Sequence, residues 1–313
     1  MLYLVIFALL SPLFCTANIP FPTHEEGVVH RGKRTKLIIP KNPLAAGSIK
    51  CESIKPKNFS SWDDDDHLES FGLMQKVFLI CKEKGITNYL VYGGEANGSK
   101  SAFSWEIIPH PKNSWLLGRQ LNILWNITFG APTLLQQERE QLAARLRQEF
   151  EGFSHSKQPT PPTILENDIP CDHDTIRKEL IFGGKEVNVL CDQFDFHNDI
   201  HFLLSPKRNR RGLPDLSESE YLETMQLARK LVKFYEDESY KIAHLFHRTG
   251  ASEGGEITHW IHQVILSRTK TQDFFGKLVL AKNLITGASP ITEEAVRRRV
   301  SSFREHLGEA LLS

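Results

Sequence analysis

The sequence predicts an α+β protein made of antiparallel sheets and helices in two similar halves, related by a pseudo-two-fold axis. Two pairs of segments indicate the repeat. Residues 127–134 and the helical run after them resemble residues 284–291 and the run that follows those. Residues 47–58 resemble residues 199–209, and in each segment a strand ends in Pro-Lys before a polar loop. Segments that recur in the same order indicate a duplicated domain.

Hydrophobic periodicity predicts the elements between these segments. Alternating apolar residues interrupted by glycine predict one hairpin in each half, and apolar residues three to four positions apart predict amphipathic helices. Each half therefore contains strand, strand, helix, strand, Gly-rich loop, strand and tail helix, in that order. The predicted hairpins pair residues 88–92 with 101–109 and residues 241–247 with 258–267, and the predicted helices span residues 67–84, 136–150, 217–236 and 292–312.

The helix over residues 217–236 carries the clearest signals. Asp215 and Ser217 stand at its start, where short polar side chains accept hydrogen bonds from the free N–H groups of the first turn. Met225 and Leu231 then recur at the spacing of a core-facing stripe. This helix is therefore expected to cover one face of a sheet.

Composition excludes several classes of protein. Of 313 residues, 40% are hydrophobic and 24% are charged, which is typical of a globular protein with a sizeable core. Lys plus Arg and Asp plus Glu are equal at 38 each, so no nucleic-acid partner is expected, because such partners need a net basic surface. Five cysteines are too few for a disulfide scaffold.

The N-terminus predicts export. Residues 2–14 are almost wholly apolar and small side chains precede Asn18, so residues 1–17 are interpreted as a signal peptide cleaved after Ala17. The alternative is an uncleaved segment, which would be the protein's sole contact with a membrane. The protein is therefore expected to be exported or secreted, and otherwise cytoplasmic.

The remaining chain divides into an N-terminal arm over 18–33, a first repeat over 34–150, a Pro-rich linker over 151–170 and a second repeat over 171–313. One chain would then form a monomeric pseudo-dimer. Four cysteines remain beyond the signal peptide, and they either form disulfides or stay free and buried: Cys51, Cys81, Cys171 and Cys191.

One string in the second half carries the candidate chemistry. Residues 250–265 read Gly-Ala-Ser-Glu-Gly-Gly-Glu-Ile-Thr-His-Trp-Ile-His-Gln-Val-Ile, a Gly-rich turn followed by two histidines and a glutamine. Glycines let backbone amides approach phosphate oxygens closely. An imidazole is suited to nucleophilic attack on phosphorus, and an amide side chain can stabilise the transferred group.

The order of strand, Pro-Lys loop, helix, strand, Gly-rich loop and His-bearing strand resembles the histidine-triad superfamily of nucleotide hydrolases and transferases. The final glutamine is similar to the branch with diadenosine tetraphosphate phosphorylase and galactose-1-phosphate uridylyltransferase, which carries His-x-His-x-Gln after its Gly loop. The resemblance extends over most of the chain as a pattern. It implies a duplicated histidine-triad-like fold and a nucleotide or nucleotide-sugar ligand. No cofactor and no metal are expected.

The resemblance assigns roles to three neighbouring residues. His259 matches the first histidine of the motif and Gln263 matches the glutamine, while Ile261 occupies the place of the central histidine that forms the covalent nucleotidyl intermediate. His262 comes one residue late and faces away from Gln263 unless a β-bulge re-aims it. His262 or His259 is the expected nucleophile, and Gln263 is expected to hold the phosphoryl oxygens.

The first half has no histidine at these positions, where Ala102, Ser104 and Glu106 stand, so it is expected only to complete the pseudo-dimer. The expected phosphate loop contains Gly254 and Gly255. Arg248 stands where the family has an asparagine, and Glu256 where it has a serine. The candidate substrate-binding residues are Gly250, Ser252, Gly254, Gly255, Thr258, Lys207, Asn209 and Arg248.

Other polar residues have two interpretations each. The basic segment around Lys207 meets phosphates or is a solvated loop, and His201 is a half-buried strand histidine or a catalyst. Residues 63–66 are four aspartates that form a helix N-terminal charge cluster or a hard-cation site, and the first of these is favoured.

Two functions remain open at this point. The first is cleavage or transfer at the α-phosphate of a dinucleoside polyphosphate or nucleotide sugar through a histidine nucleophile. The second is a catalytically inactive protein that binds a nucleotide or a protein partner.

Overall fold

The computed structural model describes residues 25–94, 102–110, 122–123, 125–126, 131–153, 178–192, 200–210, 212–237, 240–249, 260–268 and 291–312. The predicted signal peptide, most of the predicted linker and the Gly-rich segment 250–259 lie outside these residues.

Ten strands and four long helices make up the described part of the chain. The first half contains β1 Val28–Arg31, β2 Thr35–Ile38, β3 Ile49–Ser53, α1 Asp64–Glu83, β4 Asn88–Gly94, β5 Ser104–His110 and α2 Gln136–Gly152. The second half contains β6 Leu180–Gly183, β7 Val187–Cys191, β8 Ile200–Pro206, α3 Glu218–Asp237, β9 Tyr240–Thr249, β10 His262–Arg268 and α4 Glu293–Leu312.

All ten strands join in one antiparallel sheet with the order β1-β2-β3-β5-β4-β9-β10-β8-β7-β6. This order is symmetric about the β4–β9 pair. The fold is therefore α+β with a large antiparallel sheet, as predicted. That the symmetry arose by duplication stays a prediction.

The centre of the sheet lies at Tyr92 and Phe246. These residues pair directly across β4 and β9, and their ring centroids are 5.0 Å apart. On either side, β4 pairs with β5 and β9 pairs with β10 in the same way. The two halves thus share a continuous backbone hydrogen-bond ladder.

The helices α1 and α3 cover one face of the sheet. α1 contacts β2 and β3, α3 contacts β8 and β9, and the two helices contact each other. Phe71 of α1 stacks on Tyr221 of α3 with ring centroids 4.3 Å apart. The main core lies between this helix pair and the sheet, and it includes Val91, Leu245 and Val264.

In each half, a glutamate on a helix binds the backbone of the turn in the edge hairpin. Glu69 of α1 accepts backbone N–H bonds from Lys33 and Arg34 in the β1–β2 turn, at 2.7 and 2.8 Å. Glu223 of α3 accepts backbone N–H bonds from Lys185 and Glu186 in the β6–β7 turn, both at 2.6 Å. Each carboxylate satisfies turn amides that have no strand partner.

The N-termini of α1 and α3 are each capped by two reciprocal hydrogen bonds between a side chain and the backbone. Asp63 accepts from the backbone N–H of Asp66 while Asp66 accepts from that of Asp63. Ser217 and Glu220 form the same exchange at the start of α3. The sequence predicted the cap at Ser217, whereas Asp215 belongs to a short 3-10 turn over Leu213–Asp215.

Two details differ from the sequence prediction. Each half has three strands before its first helix rather than two, because the short edge strands β1 and β6 have only four residues each and give little periodic signal. β1 falls inside the predicted arm over 18–33, so the arm ends in the sheet. α2 also extends to Gly152, inside the predicted linker.

Three described cysteines, Cys51, Cys81 and Cys191, are free and buried. Cys171 lies outside the described residues. Among the described helices, none is long and apolar enough to cross a membrane.

Candidate functional site

The sheet has two faces with different roles. Directly paired residues share a face, so the row Glu106, Tyr92, Phe246 and Gln263 lies on one side. The residues adjacent to these in each strand point to the other side, where the helices α1 and α3 pack. The side that carries Gln263 is called the glutamine face below.

His262 lies on the helix-covered side. It pairs with His247 of β9 and Leu204 of β8, and the pairing of β10 continues in regular register from His262 to Ser267. The bulge that would turn His262 toward Gln263 is therefore not formed in this described strand. His262 is fully buried, and its Nδ1 lies 3.4 Å from Nδ1 of His247.

A buried histidine cluster consists of His67, His247 and His262. Indole rings surround it: Trp62 lies against His67, while Trp105 and Trp260 lie against His247 and His262 at centroid distances of 5.4 to 6.0 Å. Burial lowers the pKa of His67 to about 4 and that of His262 to about 3. Burial, together with the nearby His262, also lowers the pKa of His247. All three imidazoles are therefore neutral at pH 7.

The glutamine face of the second half presents other polar groups. Gln263 is half-buried between Phe246 of β9 and Leu203 of β8. His244 lies on the same face, with Nδ1 3.1 Å from the hydroxyl of Tyr92. Burial raises the pKa of Tyr92, so this hydroxyl stays neutral.

His201 of β8 and Asp192 lie side by side on the glutamine face. Cys191 pairs with Phe202, which places Asp192 opposite His201 at the end of the β7–β8 ladder. Nδ1 of His201 lies 2.6 Å from Oδ2 of Asp192, and both side chains are buried. The Asp192 carboxylate thus contacts an imidazole whose two ring nitrogens are both buried.

The first half uses the equivalent face differently. Glu106, at the position that matches Gln263, is buried and accepts a hydrogen bond of 2.6 Å from the backbone N–H of Leu44. Burial raises the pKa of Glu106, partly offset by this bond. Leu44, Ile108 and Ile123 form a small apolar cluster on this face. The chain's own loop therefore closes the first half.

The predicted basic segment is divided in the structure. Lys207 and Arg208 are exposed, and Asn209 is half-buried. Arg210 is buried and forms an ion pair of 2.9 Å with Glu220. Arg210 is therefore structural, whereas Lys207 and Arg208 are open to solvent.

The aspartates at the start of α1 also have partners. Asp66 is buried beside Lys57, and Arg34 bridges Asp63 and Asp65. Among the described residues, no group of three or more His, Cys, Asp or Glu side chains is placed to hold a metal ion. The favoured interpretation, a helix N-terminal cluster, agrees with these contacts.

The remaining predicted site residues are only partly placed. Arg248 pairs with Leu90 in the β4–β9 ladder. Gly250, Ser252, Gly254, Gly255, Thr258 and His259 lie outside the described residues, so their roles stay predictions.

Solved structures with the same arrangement identify the fold. An ADP-glucose phosphorylase from Arabidopsis thaliana with bound ADP-glucose matches with a TM-score of 0.51 at 12% identity, over 87% of this chain and 82% of that one. The chain has the histidine-triad fold. A uridylyltransferase mutant matches with a TM-score of 0.50 at 12% identity, over 91% of this chain and 92% of that one. A GalT-like protein from Arabidopsis thaliana matches with a TM-score of 0.50 at 11% identity, over 87% of this chain and 84% of that one.

These structural matches show the fold and leave the activity of this chain open. No protein-family model matches the sequence. A comparison with curated proteins finds no relative either.

Sequence reasoning did not find the partner of His201. Asp192 lies nine positions earlier, and only the antiparallel pairing of β7 with β8 brings the two side chains together. The usable signal was a polar residue directly after one short apolar strand and a histidine near the start of the next.

Proposed function

We propose that this protein binds a nucleotide or nucleotide sugar on the glutamine face of its second half. The observation that carries the proposal is the group of polar side chains around Gln263 on this face. Among the described residues, Gln263 lies near His244 and the His201–Asp192 pair, whereas Glu106 at the matching position of the first half accepts a hydrogen bond from Leu44.

Three further features support a phosphate-bearing ligand. The segment that joins β9 to β10 is rich in glycine, and glycine allows backbone amides to approach phosphate oxygens. Lys207 and Arg208 follow β8 and are exposed, so their positive charges are free to attract an anion toward this half. The fold is shared with an ADP-glucose phosphorylase whose structure contains ADP-glucose.

The proposal assigns no nucleophilic role to His262. Its imidazole lies on the opposite side of the sheet from Gln263, is fully buried, and contacts Trp105 and Trp260. A phosphate held by Gln263 is separated from His262 by the sheet backbone. Cleavage or transfer at the α-phosphate through His259 stays a prediction, and a catalytically inactive binding protein is the alternative.

Ligand-dependent thermal stability tests the proposal. ADP-glucose and diadenosine tetraphosphate at 100 times their Kd should add about 2.7 kcal/mol to the free energy of unfolding, and should raise Tm by several degrees. Gln263→Ala should weaken binding about tenfold through loss of hydrogen bonds to the phosphoryl oxygens.

Glu106→Gln is the matched control, because it alters the equivalent position and keeps an oxygen for the Leu44 N–H. It should leave the affinity within twofold or so. If neither ligand changes Tm, or if both substitutions weaken binding equally, the proposed site is wrong.

A further inference from the structure

We propose that Asn58 is a site of N-linked glycosylation, so that the first half of this protein carries an oligosaccharide on the loop between β3 and α1. The inference rests on the predicted signal peptide, because this modification belongs to secreted proteins. It is independent of the proposed nucleotide site.

Three asparagines stand in the acceptor sequence Asn-x-Ser/Thr, in which x is any residue except proline. They are Asn58-Phe-Ser, Asn97-Gly-Ser and Asn126-Ile-Thr. The pattern is short and selects no site by itself. A glycan is bulky and hydrophilic, so a folded protein accommodates one only where the asparagine amide lies at the surface. Asn97 lies outside the described residues, and the structure distinguishes the other two.

The amide of Asn58 is exposed, and only its oxygen is needed by the fold. Asn58 caps the 3-10 turn Phe59–Ser61, and its Oδ1 accepts a hydrogen bond of 3.1 Å from the backbone N–H of Ser61. The acceptor and the donor of an amide are separate atoms, and the oligosaccharide is joined to the nitrogen, Nδ2. Glycosylation therefore leaves the capping bond intact.

The residue after Asn58 holds the acceptor sequence in place. Phe59 is fully buried, and its ring centroid lies 4.8 Å from that of Phe103 and 5.6 Å from that of His67. Asn58 before it is exposed and Ser60 after it is partly exposed. The anchored ring thus keeps the acceptor asparagine at a fixed place on the surface.

Asn126 has the opposite environment. Its side chain is only 6% exposed, and its Nδ2 donates a hydrogen bond of 2.8 Å to the carbonyl of Leu44. A sugar on this nitrogen would need space inside the small apolar cluster that contains Leu44 and Ile123. A folded chain with a glycan at Asn126 is therefore not expected.

The matching loop of the second half has no acceptor sequence. Asn209 occupies the position of Asn58 in the repeat, but Arg210 and Arg211 follow it in place of Phe-Ser. The modification at this loop is therefore specific to the first half.

The transfer step balances with a lipid-linked oligosaccharide diphosphate as the donor. Nδ2 of Asn58 forms a bond to the anomeric carbon of the first sugar as the bond from that carbon to the diphosphate oxygen breaks. The lipid diphosphate keeps that electron pair, and one Nδ2 proton passes to a base of the transferase.

The experiment expresses the full chain with its own N-terminus in mammalian cells and purifies it from cells and medium. Peptide-N-glycosidase in heavy-oxygen water removes N-linked glycans and converts each acceptor asparagine to isotope-labelled aspartate, which peptide mapping locates. The treatment should lower the apparent mass of the protein and place the label on Asn58, with none on Asn126.

Three variants test recognition of the acceptor sequence. Asn58→Asp keeps an oxygen for the Ser61 N–H but has no amide nitrogen, and it should lose the label at this position completely. Ser60→Ala should lose it with Asn58 unchanged. Ser60→Thr is the matched control, because it keeps the hydroxyl that the acceptor sequence requires, and it should retain the glycan.

Two results would overturn the inference. One is a native chain with no label on Asn58, whether it is found in the medium or inside the cells. The other is a label on Asn126 of the folded protein, or a label on Asn58 that persists in Ser60→Ala. Neither result affects the proposed function, which is tested by nucleotide binding.

Discussion

At the scale of the residue, the side of the sheet decides what each histidine does. His262 and Gln263 are consecutive, but side chains alternate along a strand. His262 therefore lies on the helix-covered side of the sheet and Gln263 on the glutamine face. At the positions matching His247 and His262, the first half has Gly93 and Trp105, and the Trp105 ring lies where a side chain at Gly93 would be. Two imidazoles thus take the space that one indole fills in the first half.

The buried histidine cluster should make stability depend on pH. Burial lowers the pKa of His67 to about 4 and of His262 to about 3, and Arg229 lowers that of His67 further while Asp63, Asp64 and Asp66 oppose it. The unfolded chain, with histidine pKa values near about 6.5, binds protons first as pH falls. The free energy of unfolding should therefore have its full value above about pH 7 and decrease as the pH falls below about 6.5.

Three such histidines contribute at most about 4 kcal/mol per pH unit together. Urea unfolding of the native protein at about pH 7 and about pH 5.5 measures the loss, and His262→Phe should reduce it by about a third because one titrating group is gone. Carboxylates with lowered pKa, such as Glu69, titrate at lower pH and contribute little in this window. Equal stability at the two pH values would contradict the account.

At the scale of the element, one helix carboxylate fastens each edge hairpin. Glu69 and Glu223 lie at matching positions of α1 and α3 and bond the turn after β1 and the turn after β6. A Cβ at Gly32 or Gly184 would overlap a carboxylate oxygen, so any other residue in either turn would push Glu69 or Glu223 away from the turn amides. The device ties a short strand to a long helix without a large apolar contact.

Glu223→Ala should lower the free energy of unfolding by about 1 to 3 kcal/mol, because it leaves the backbone N–H groups of Lys185 and Glu186 without their charged acceptor. Glu69→Ala should have an effect of similar size. Chemical denaturation measures both, and Glu223→Gln, which keeps one acceptor, is the control. If both alanine variants lose less than about 0.5 kcal/mol of unfolding free energy, these two glutamates do not stabilise the fold.

The long elements were predictable because their signals are local. α3 was predicted at residues 217–236 and found at Glu218–Asp237, since its cap and apolar stripe both lie in the sequence. The hairpin strands followed from alternation. β1 and β6 were missed because four residues carry too little periodicity.

The site was less predictable than the fold. The opposite orientation of His262 followed from strand alternation, and the regular pairing of β10 supports it. The His201–Asp192 contact did not follow, because the register of β7 on β8 is a tertiary property that no local pattern specifies. The hydrogen bond from Leu44 to Glu106 could not be predicted either, because it depends on a loop folding back over the sheet.

At the scale of the whole molecule, a symmetric sheet carries an asymmetric surface. Matching arginines, Arg147 of α2 and Arg304 of α4, donate to carbonyls of the edge strands β1 and β6. The two halves thus share individual hydrogen bonds as well as the order of their elements. On the glutamine face the matching positions hold different residues, Glu106 and Gln263, and Glu106 accepts a hydrogen bond from Leu44. The account therefore predicts one ligand site on a frame whose symmetry alone would give two.

Calorimetric titration of the full chain with ADP-glucose tests this central claim most directly, because it reports the number of sites and their affinity together. The account predicts one site per chain, with affinity reduced about tenfold by Gln263→Ala and unchanged by Glu106→Gln. Two equivalent sites per chain, or one site that is weakened by Glu106→Gln and indifferent to Gln263→Ala, would contradict it.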